Sequence, residues 1–283
     1  MRNISFDKIL ITGADGMVGS YVDFGIKTDH RSLDVTNLEE VLSAVKKYEP
    51  EAILHLAAAT DVDWCERNPK DAYLINGIGA YHLAIAARRG GAKLVYISTA
   101  GVFDGEKKGP YGEDDVPNPQ NYYGYSKFLG ESAIRGILED HLIVRTCWMM
   151  GGGPKRDKKF VAKIIAQLMK PEIKEINAVN DQIGSPTYAK DLVAGIKELI
   201  KHDSRGTYHI ANTGTASRFD VAKKIVDLVR PNVKVNSVPS SFFNLDANRP
   251  INETLSSKTN LMGPWNRAVE DYVKSEWADT LAK

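Results

Sequence analysis

The 283-residue chain carries 37 Lys and Arg against 36 Asp and Glu, a formal net charge of +1 that leaves no electrostatic footprint for nucleic acid or an anionic membrane. Two cysteines, Cys65 and Cys147, are too few for a disulfide framework. No apolar run reaches the ~18 residues of a membrane span, and the opening Met1-Arg2-Asn3-Ile4-Ser5-Phe6-Asp7-Lys8 lacks the apolar stretch of a signal peptide, so a soluble cytoplasmic protein is expected.

Residues 8–12, Lys-Ile-Leu-Ile-Thr, form a short apolar run that stops at a glycine, as a strand buried on both faces does. Gly13, Gly16 and Gly19 follow, with Asp15, Met17 and Val18 between them. Gly13 permits a tight turn, Gly16 a close backbone approach to phosphate, and Gly19 close helix packing. A strand, a glycine turn and a helix start in that order form a seat for a dinucleotide pyrophosphate. Asp29 comes only ten positions after Gly19, so the first helix must be very short. The dipole effect that favours phosphate resides in the first turn and survives this.

A second strand is expected at 26–28. Asp29 could accept from an adenosine ribose and favour NADH, whereas His30 and Arg31 suit the 2′-phosphate of NADPH. Both readings stay open, beside that of a solvated turn. Asp34 is placed to bond an adenine amine while Val35 packs on the ring, and Thr36 or Asn37 reads as a helix N-cap. An amphipathic helix at 37–48, a strand at 52–57, a helix at 72–89 ended by Gly90-Gly91, a strand at 93–98, a helix at 122–138 and a strand at 141–145 follow in alternation. That order is the signature of a doubly wound parallel sheet, with the ligand at the carboxyl ends of its strands. Residues 1–150 are therefore expected to form a Rossmann-type α/β dinucleotide-binding domain. Past Gly151-Gly152-Gly153-Pro154 the pattern loosens: helices at 160–169, 191–200 and 219–229 and a strand at 173–179. Residues 151–283 are expected to supply a smaller substrate-binding lobe and some elements returning to the main sheet.

Tyr123 and Lys127 stand at i and i+4, on one face of the 122–138 helix, and Tyr123 alone of three nearby tyrosines has a lysine at that spacing. An ammonium beside a phenol favours phenolate and fits the tyrosine for proton transfer. Thr99, at a strand end, could donate to a substrate carbonyl. His55 and His82 read as packing, Cys147 as a buried apolar residue, and no His, Cys or Asp cluster has metal-ligand spacing.

These residues resemble those of the extended short-chain dehydrogenase/reductases, and within them the dTDP-4-dehydrorhamnose reductase group. The resemblance runs over almost the whole chain. It rests on Thr12-Gly13, Gly16 and Gly19, on Leu33-Asp34-Val35-Thr36, on Ala57-Ala58-Ala59-Thr60-Asp61-Val62-Asp63, and on Ser98-Thr99 with Val102-Phe103-Asp104-Gly105. Tyr123-Gly124-Tyr125-Ser126-Lys127, Arg145-Thr146-Cys147-Trp148, Asp181-Gln182-Ile183-Gly184-Ser185-Pro186-Thr187 and Arg249-Pro250 complete it. It implies a catalytic set of Thr99, Tyr123 and Lys127, with Tyr123 as the acid. It implies a NADPH or NADH site that includes Ala57, Ala58, Ala59, Asn76 and Ser98. Thr60, Val62 and Trp148 would face the sugar, and Arg249 the diphosphate of a nucleotide-sugar substrate. A homodimer is compatible with it.

One departure stands out. The group carries Ser-Thr-Asp-Tyr before Val-Phe, and this chain has Ser98-Thr99-Ala100-Gly101. The tyrosine expected to line the sugar pocket is Gly101, so either a bulkier sugar or another side chain is expected there; Trp148, Phe242 and Phe243 are the candidates. Ala100-Gly101 also cannot supply the acid-base pair of related dehydratases. An epimerase, or a non-catalytic binding subunit of the kind found in methionine adenosyltransferase, remains as an alternative function.

Overall fold

The computed structural model describes residues 2–259 and 261–282; residues 1, 260 and 283, which the expected divisions include, lie outside the described residues. Six parallel strands form the main sheet in the order Gly206–His209, His141–Thr146, Lys93–Thr99, Ala52–His55, Ile9–Thr12 and Ile26–Lys27. Alternate residues of each strand point to opposite faces, and both faces are buried. Leu10, Ile53, Leu94 and Ile143 pack under the helices Leu38–Tyr48, Gly79–Gly90 and Tyr122–Ile137 through Val41, Val45, Leu83, Ala87 and Ile134. Ile9, Ile11, Leu54, Val95, Leu142 and Val144 pack on the other side against Leu192, Val193, Ile196 and Leu199 of the helix Ala189–Lys201. This is the doubly wound α/β arrangement expected of the sequence pattern.

The first helix is a single 3₁₀ turn, Gly19–Tyr21, and the chain then lays Val22 and Phe24 onto the sheet face. Asn37, the observed cap of Leu38–Tyr48, accepts from the backbone nitrogens of Glu39 and Glu40. The single helix expected at 72–89 departs from α geometry. Pro69–Ala72 and Gly79–Gly90 are α-helical, and Tyr73–Ile78 between them is a π-helix. The cause lies in the neighbour. A Cβ on Gly77 would stand 2.6 Å from Leu129, and one on Gly130 would stand 2.8 Å from the Asn76 carbonyl. The two helices thus approach closely, Gly77 under the Leu129 side chain and Gly130 against the Asn76 backbone, and π-bulges arise where a helix accommodates such a local demand.

The remaining elements build a second core. The helices Phe160–Leu168, Arg218–Val229 and Trp265–Glu276 bury Ile164, Ile165, Ala222, Ile225, Val269 and Tyr272 around the strand Glu175–Val179, which pairs in parallel with Lys234–Val238. Ser217 and Asp220 form a capping box at the head of Arg218–Val229. A three-stranded sheet, Ala216–Ser217, Ile183–Gly184 and Asn252–Glu253, lies alongside. From this core the chain returns to the main sheet through Thr187–Tyr188, Ala189–Lys201 and the edge strand Gly206–His209. Among the described residues no helix is long and apolar enough to cross a membrane.

Candidate active site

A cavity of about 340 Å³ opens at the carboxyl ends of the main strands. Strand ends set its floor. Gly13 follows Ile9–Thr12 with φ +68, and a Cβ there would fall 2.6 Å from the Ala57 nitrogen. The Thr12 hydroxyl ties the same two strand ends together, 2.7 Å from His55 Nδ1 and accepting from Ala57 N at 3.4 Å. A Cβ on Gly16 would meet only the Gly13 carbonyl, at 3.3 Å. Gly16 therefore presents bare backbone to the cavity, beside Met17, Val18 and Gly19. The turn fits a group that must approach main-chain nitrogens closely, as a pyrophosphate does.

Ser98 and Thr99 end the strand Lys93–Thr99 at this cavity. Thr99 Oγ1 accepts from Gly101 N at 3.0 Å and so caps the turn Ala100–Val102. Helix Tyr122–Ile137 starts on that turn: its cap Asn121 accepts from Gly124 N at 2.9 Å and donates to the Asn248 carbonyl at 2.8 Å. Gly124 lies so close to Gly101 that no side chain would fit between them. This interlock lines the cavity with Thr99 and Tyr123 together, and with Lys127 one turn further on.

The electrostatics differ from the helical-spacing expectation. The phenol of Tyr123 is pushed up from its ordinary value, chiefly by burial, with the neighbouring Thr99 hydroxyl pulling the other way. Lys127 is pushed down to about 7, again by burial, with Glu131 opposing. Its ammonium stands 4.1 Å from the centre of the Tyr96 ring. Spacing alone predicts a phenol lowered by its lysine; desolvation acts against the charged form of both residues and wins. The result is a neutral, proton-loaded tyrosine.

Of the expected sugar-side residues, Thr60, Val62, Gly101, Trp148 and Arg249 all line the same cavity. Thr60 accepts from Lys159 Nζ through its carbonyl at 2.7 Å and its hydroxyl at 3.1 Å. Arg249 pairs with Asp63 at 2.9 Å. Trp148, at φ +38, lies flat against Gly184, where a Cβ would stand 2.5 Å from the indole. The side chain facing Gly101 is none of Trp148, Phe242 and Phe243. A Cβ on Gly101 would touch Thr99 at 3.4 Å and, from elsewhere in the chain, Glu253 Oε1 at 3.7 Å, while Phe242 and Phe243 stand exposed outside the cavity.

Ala58 also lines the cavity, and the remaining expected coenzyme residues lie outside its lining. Ala57 abuts Gly13. Asn76 is fully buried; its amide accepts from Ala59 N at 2.8 Å and donates to the Ala59 carbonyl at 3.0 Å and Ser126 Oγ at 2.9 Å, so it braces the loop that carries Ala58. Asp15 is exposed, 3.7 Å from His30 Nδ1. Asp29 folds onto its own turn, accepting from Arg31 N at 3.1 Å, Ser32 N at 3.0 Å and Ser32 Oγ at 2.8 Å, and the Ser32 bonds hold its carboxyl below the usual range. Arg31 is exposed beside it. Asp34 accepts from Thr36 N and Oγ1 at 2.9 and 2.8 Å, and Val35 is buried against Gly79.

Three charged residues of the cavity escaped the sequence reading: Lys159, Arg218 and Glu253. Arg218 stacks its guanidinium 3.6 Å from the Trp148 ring centre, and burial lowers it to about 10. Burial raises the Glu253 carboxyl, against the pull of Trp148, Arg218 and Arg249. All three come from the part of the chain past residue 150, and only the adjacency of Glu253 to the Arg249-Pro250 motif could have hinted at any of them. Among the described residues no cluster of three His, Cys, Asp or Glu could hold a metal ion.

Known proteins match this arrangement along most of the chain. The chain is 35% identical over 259 residues, 89% of either chain, to the spore coat polysaccharide biosynthesis protein SpsK of Bacillus subtilis. It is similar to dTDP-4-dehydrorhamnose reductase from Bacillus anthracis in complex with NADP, at TM-score 0.88 and 37% identity over 95% of this chain and 99% of that one. The dTDP-4-dehydrorhamnose reductase of Yersinia enterocolitica matches at TM-score 0.87 and 41% identity, covering 94% and 98%. The model of the RmlD substrate binding domain matches residues 7–276, and with that span and those identities the chain belongs to the RmlD substrate binding domain family.

Proposed function

We propose that the protein is an NAD(P)H-dependent 4-ketoreductase of a nucleotide-activated deoxysugar, with dTDP-4-dehydrorhamnose as substrate. The observation that carries this is one cavity lined by the Gly13–Gly19 turn, Thr99, Tyr123 and Lys127. NADP in the Bacillus anthracis relative supports a nicotinamide coenzyme here. Relatives named as reductases at 33–41% identity favour reduction over an epimerase or a non-catalytic subunit.

When bound, the nicotinamide supplies a hydride to the 4-carbon of the sugar. The Gly13–Gly19 turn, in which Gly16 N already bonds the Gly13 carbonyl at 3.1 Å, would seat the pyrophosphate, and Lys127 would hold the nicotinamide ribose. The neutral Tyr123 phenol gives its proton to the 4-oxygen as that oxygen gains charge, so the ketone leaves as a secondary alcohol. Thr99 Oγ1 accepts from Gly101 N, and with the sugar bound its one hydroxyl hydrogen would turn from Tyr123 to the same oxygen. Arg249 and Arg218, both lining the cavity, supply positive potential for the diphosphate.

We assign coenzyme binding mainly to residues 1–150 and sugar-nucleotide contacts to the lobe from 151 onward. Cytoplasmic placement goes with two free cysteines, both buried. A homodimer is supported by Leu74, Ile78, Tyr81, Tyr125 and Leu129, exposed on the adjacent segments Tyr73–Ile78, Gly79–Gly90 and Tyr122–Ile137. Light scattering at micromolar concentration tests the last point. The activity is tested by loss of NADPH or NADH absorbance with dTDP-4-dehydrorhamnose and a panel of other 4-keto nucleotide sugars. Absence of turnover with every 4-keto sugar would overturn it.

A further inference from the structure

Glu253 is mounted rigidly. Its neighbours Asn252 and Thr254 are buried at 4% and 2% exposure. Asn252 donates to the carbonyls of Lys107 and Gly109 at 2.7 and 2.9 Å and accepts from Thr254 N and Oγ1 at 2.9 and 2.6 Å. Its strand pairs in parallel with Ile183–Gly184, and Gly184 is the residue against which Trp148 lies. One carboxyl oxygen of Glu253, Oε2, accepts from Trp148 Nε1 at 2.8 Å. The other, Oε1, has no hydrogen-bond partner among the described residues. It faces the open Cβ direction of Gly101, on whose near side stands Thr99 Oγ1, 3.4 Å from the same point. Glu253 is half-buried, and this oxygen lines the cavity with no protein donor on it; a ligand that displaces the cavity water must supply the donor in its place.

We propose that Glu253 is the specificity-determining residue of the sugar subsite: Oε1, across the space left open at Gly101, accepts a hydrogen bond from a ring hydroxyl of the bound sugar. The proposal rests on the ketoreductase reading and adds the group that is recognised. Charge selects a neutral donor. Lys127, Lys159, Arg218 and Arg249 already line the cavity, so an ammonium on the sugar would meet four cationic side chains, whereas a hydroxyl satisfies Oε1 without adding charge. Glu253 is offered as a binding residue and takes no part in the proton transfer assigned to Tyr123. Trp148 orients it from behind.

The test measures kcat/KM with NADPH on dTDP-4-dehydrorhamnose and on its analogues lacking the 2- or the 3-hydroxyl, for wild type, Glu253→Gln and Glu253→Ala. A site built to bond a hydroxyl rejects the analogue lacking it strongly, so wild type should disfavour one of the two analogues by roughly 10²-fold or more. Glu253→Ala should erase most of that preference through KM, with NADPH affinity by fluorescence unchanged. Glu253→Gln keeps an acceptor oxygen and should retain part of it. Calorimetry with dTDP and dTDP-rhamnose gives a second readout independent of turnover: wild type should bind the sugar nucleotide more tightly than dTDP, and Glu253→Ala should lose the difference. If no 4-keto sugar is reduced, the ketoreductase reading fails and the calorimetric arm still decides the role of Glu253. Equal discrimination in wild type and Glu253→Ala, or tighter binding of a 3-amino analogue than of the hydroxyl sugar, would overturn the proposal.

Discussion

The Lys127 ammonium stands 4.1 Å from the centre of the Tyr96 ring and forms no hydrogen bond to Tyr123, one helical turn before it. The aromatic face supports a cation, yet burial still lowers Lys127 to about 7. The unfolded chain keeps this proton up to the ordinary lysine value near ~10.4, and the folded protein releases it near 7. Between those values the unfolded state binds more protons, so this group makes the fold gain stability as pH rises through the window. Lys127→Met removes the buried charge. In urea unfolding without coenzyme, the variant should gain most over wild type at about pH 6, and the gain should shrink by about pH 10. A gain independent of pH would show that Lys127 is not desolvated in this way. For activity the sign is opposite: kcat/KM, which reports groups of the free enzyme, should fall as pH rises past about 7 if the charged ammonium binds the nicotinamide ribose.

Tyr123→Phe should leave NADPH binding intact and lower kcat by about 10²–10⁴-fold, the usual contribution of a positioned general acid. Burial holds the phenol protonated across the neutral range, so no alkaline limb from this residue is expected below about pH 9. Near wild-type turnover would move the acid role to Tyr122 or Tyr125, or end the enzyme reading.

Much of the fold is legible because strands buried on both faces are continuous apolar runs. Residues 8–12, 52–57 and 93–98 declare themselves that way. The edge strand Gly206–His209 does not: Gly-Thr-Tyr-His carries no such run, and its pairing with His141–Thr146 is long-range. The π segment Tyr73–Ile78 is equally silent, since its cause is the close approach of Gly130. The site divides in the same manner. The glycine turn and the Tyr123/Lys127 spacing are local, hence readable. Lys159 ahead of Phe160–Leu168, Arg218 at the head of its helix and Glu253 on the small sheet enter the cavity from three separate places, a proximity that only packing creates. The direction of the Tyr123 shift is illegible in the sequence for a related reason, because desolvation belongs to the whole surround and not to a residue pair.

Gly13 and Gly16 should respond differently to the same substitution. Gly13→Ala places a side chain at φ +68, a region costing an L-residue roughly 1–2 kcal/mol, and drives it to within 2.6 Å of Ala57 N. A large drop in the urea midpoint, or no soluble protein, is expected. Gly16→Ala meets only the Gly13 carbonyl, at 3.3 Å, so it should fold and instead weaken NADPH binding, by about tenfold or more. Both effects together separate a glycine needed by the fold from one needed by the phosphate. Equal coenzyme affinity in Gly16→Ala and wild type would remove Gly16 from the phosphate site.

Coenzyme choice should be loose. The Asp29 carboxylate is engaged by Ser32 and Arg31 backbone, and Arg31 is exposed beside it. Arg31→Ala should weaken NADPH by about tenfold, near 1.4 kcal/mol, and leave NADH nearly unchanged. Titration of both coenzymes by fluorescence checks it. A wild-type preference beyond about a hundredfold, near 2.7 kcal/mol, would refute dual use.

Gly101 and Glu253 should couple. The Cβ of a residue at 101 fits, with Thr99 Oγ1 at 3.4 Å and Glu253 Oε1 at 3.7 Å, but any longer side chain continues toward the carboxyl. Gly101→Tyr should therefore crowd Glu253, disturb its bond to Trp148 Nε1 and lower kcat/KM on dTDP-4-dehydrorhamnose by about tenfold or more, as overpacking displaces neighbours. Removing the obstacle should relieve this. In Gly101→Tyr combined with Glu253→Ala the tyrosine enters the vacated space, and its ring and hydroxyl can supply contact area and a hydrogen bond in place of the carboxyl. Touching residues show interaction free energies of about 0.5–3 kcal/mol in such cycles, here with the double variant more active than the two single losses predict. If Gly101 merely enlarged the pocket for a bulkier sugar, Gly101→Tyr alone would raise activity on dTDP-4-dehydrorhamnose. Additive losses would show that the two positions do not meet in the occupied site.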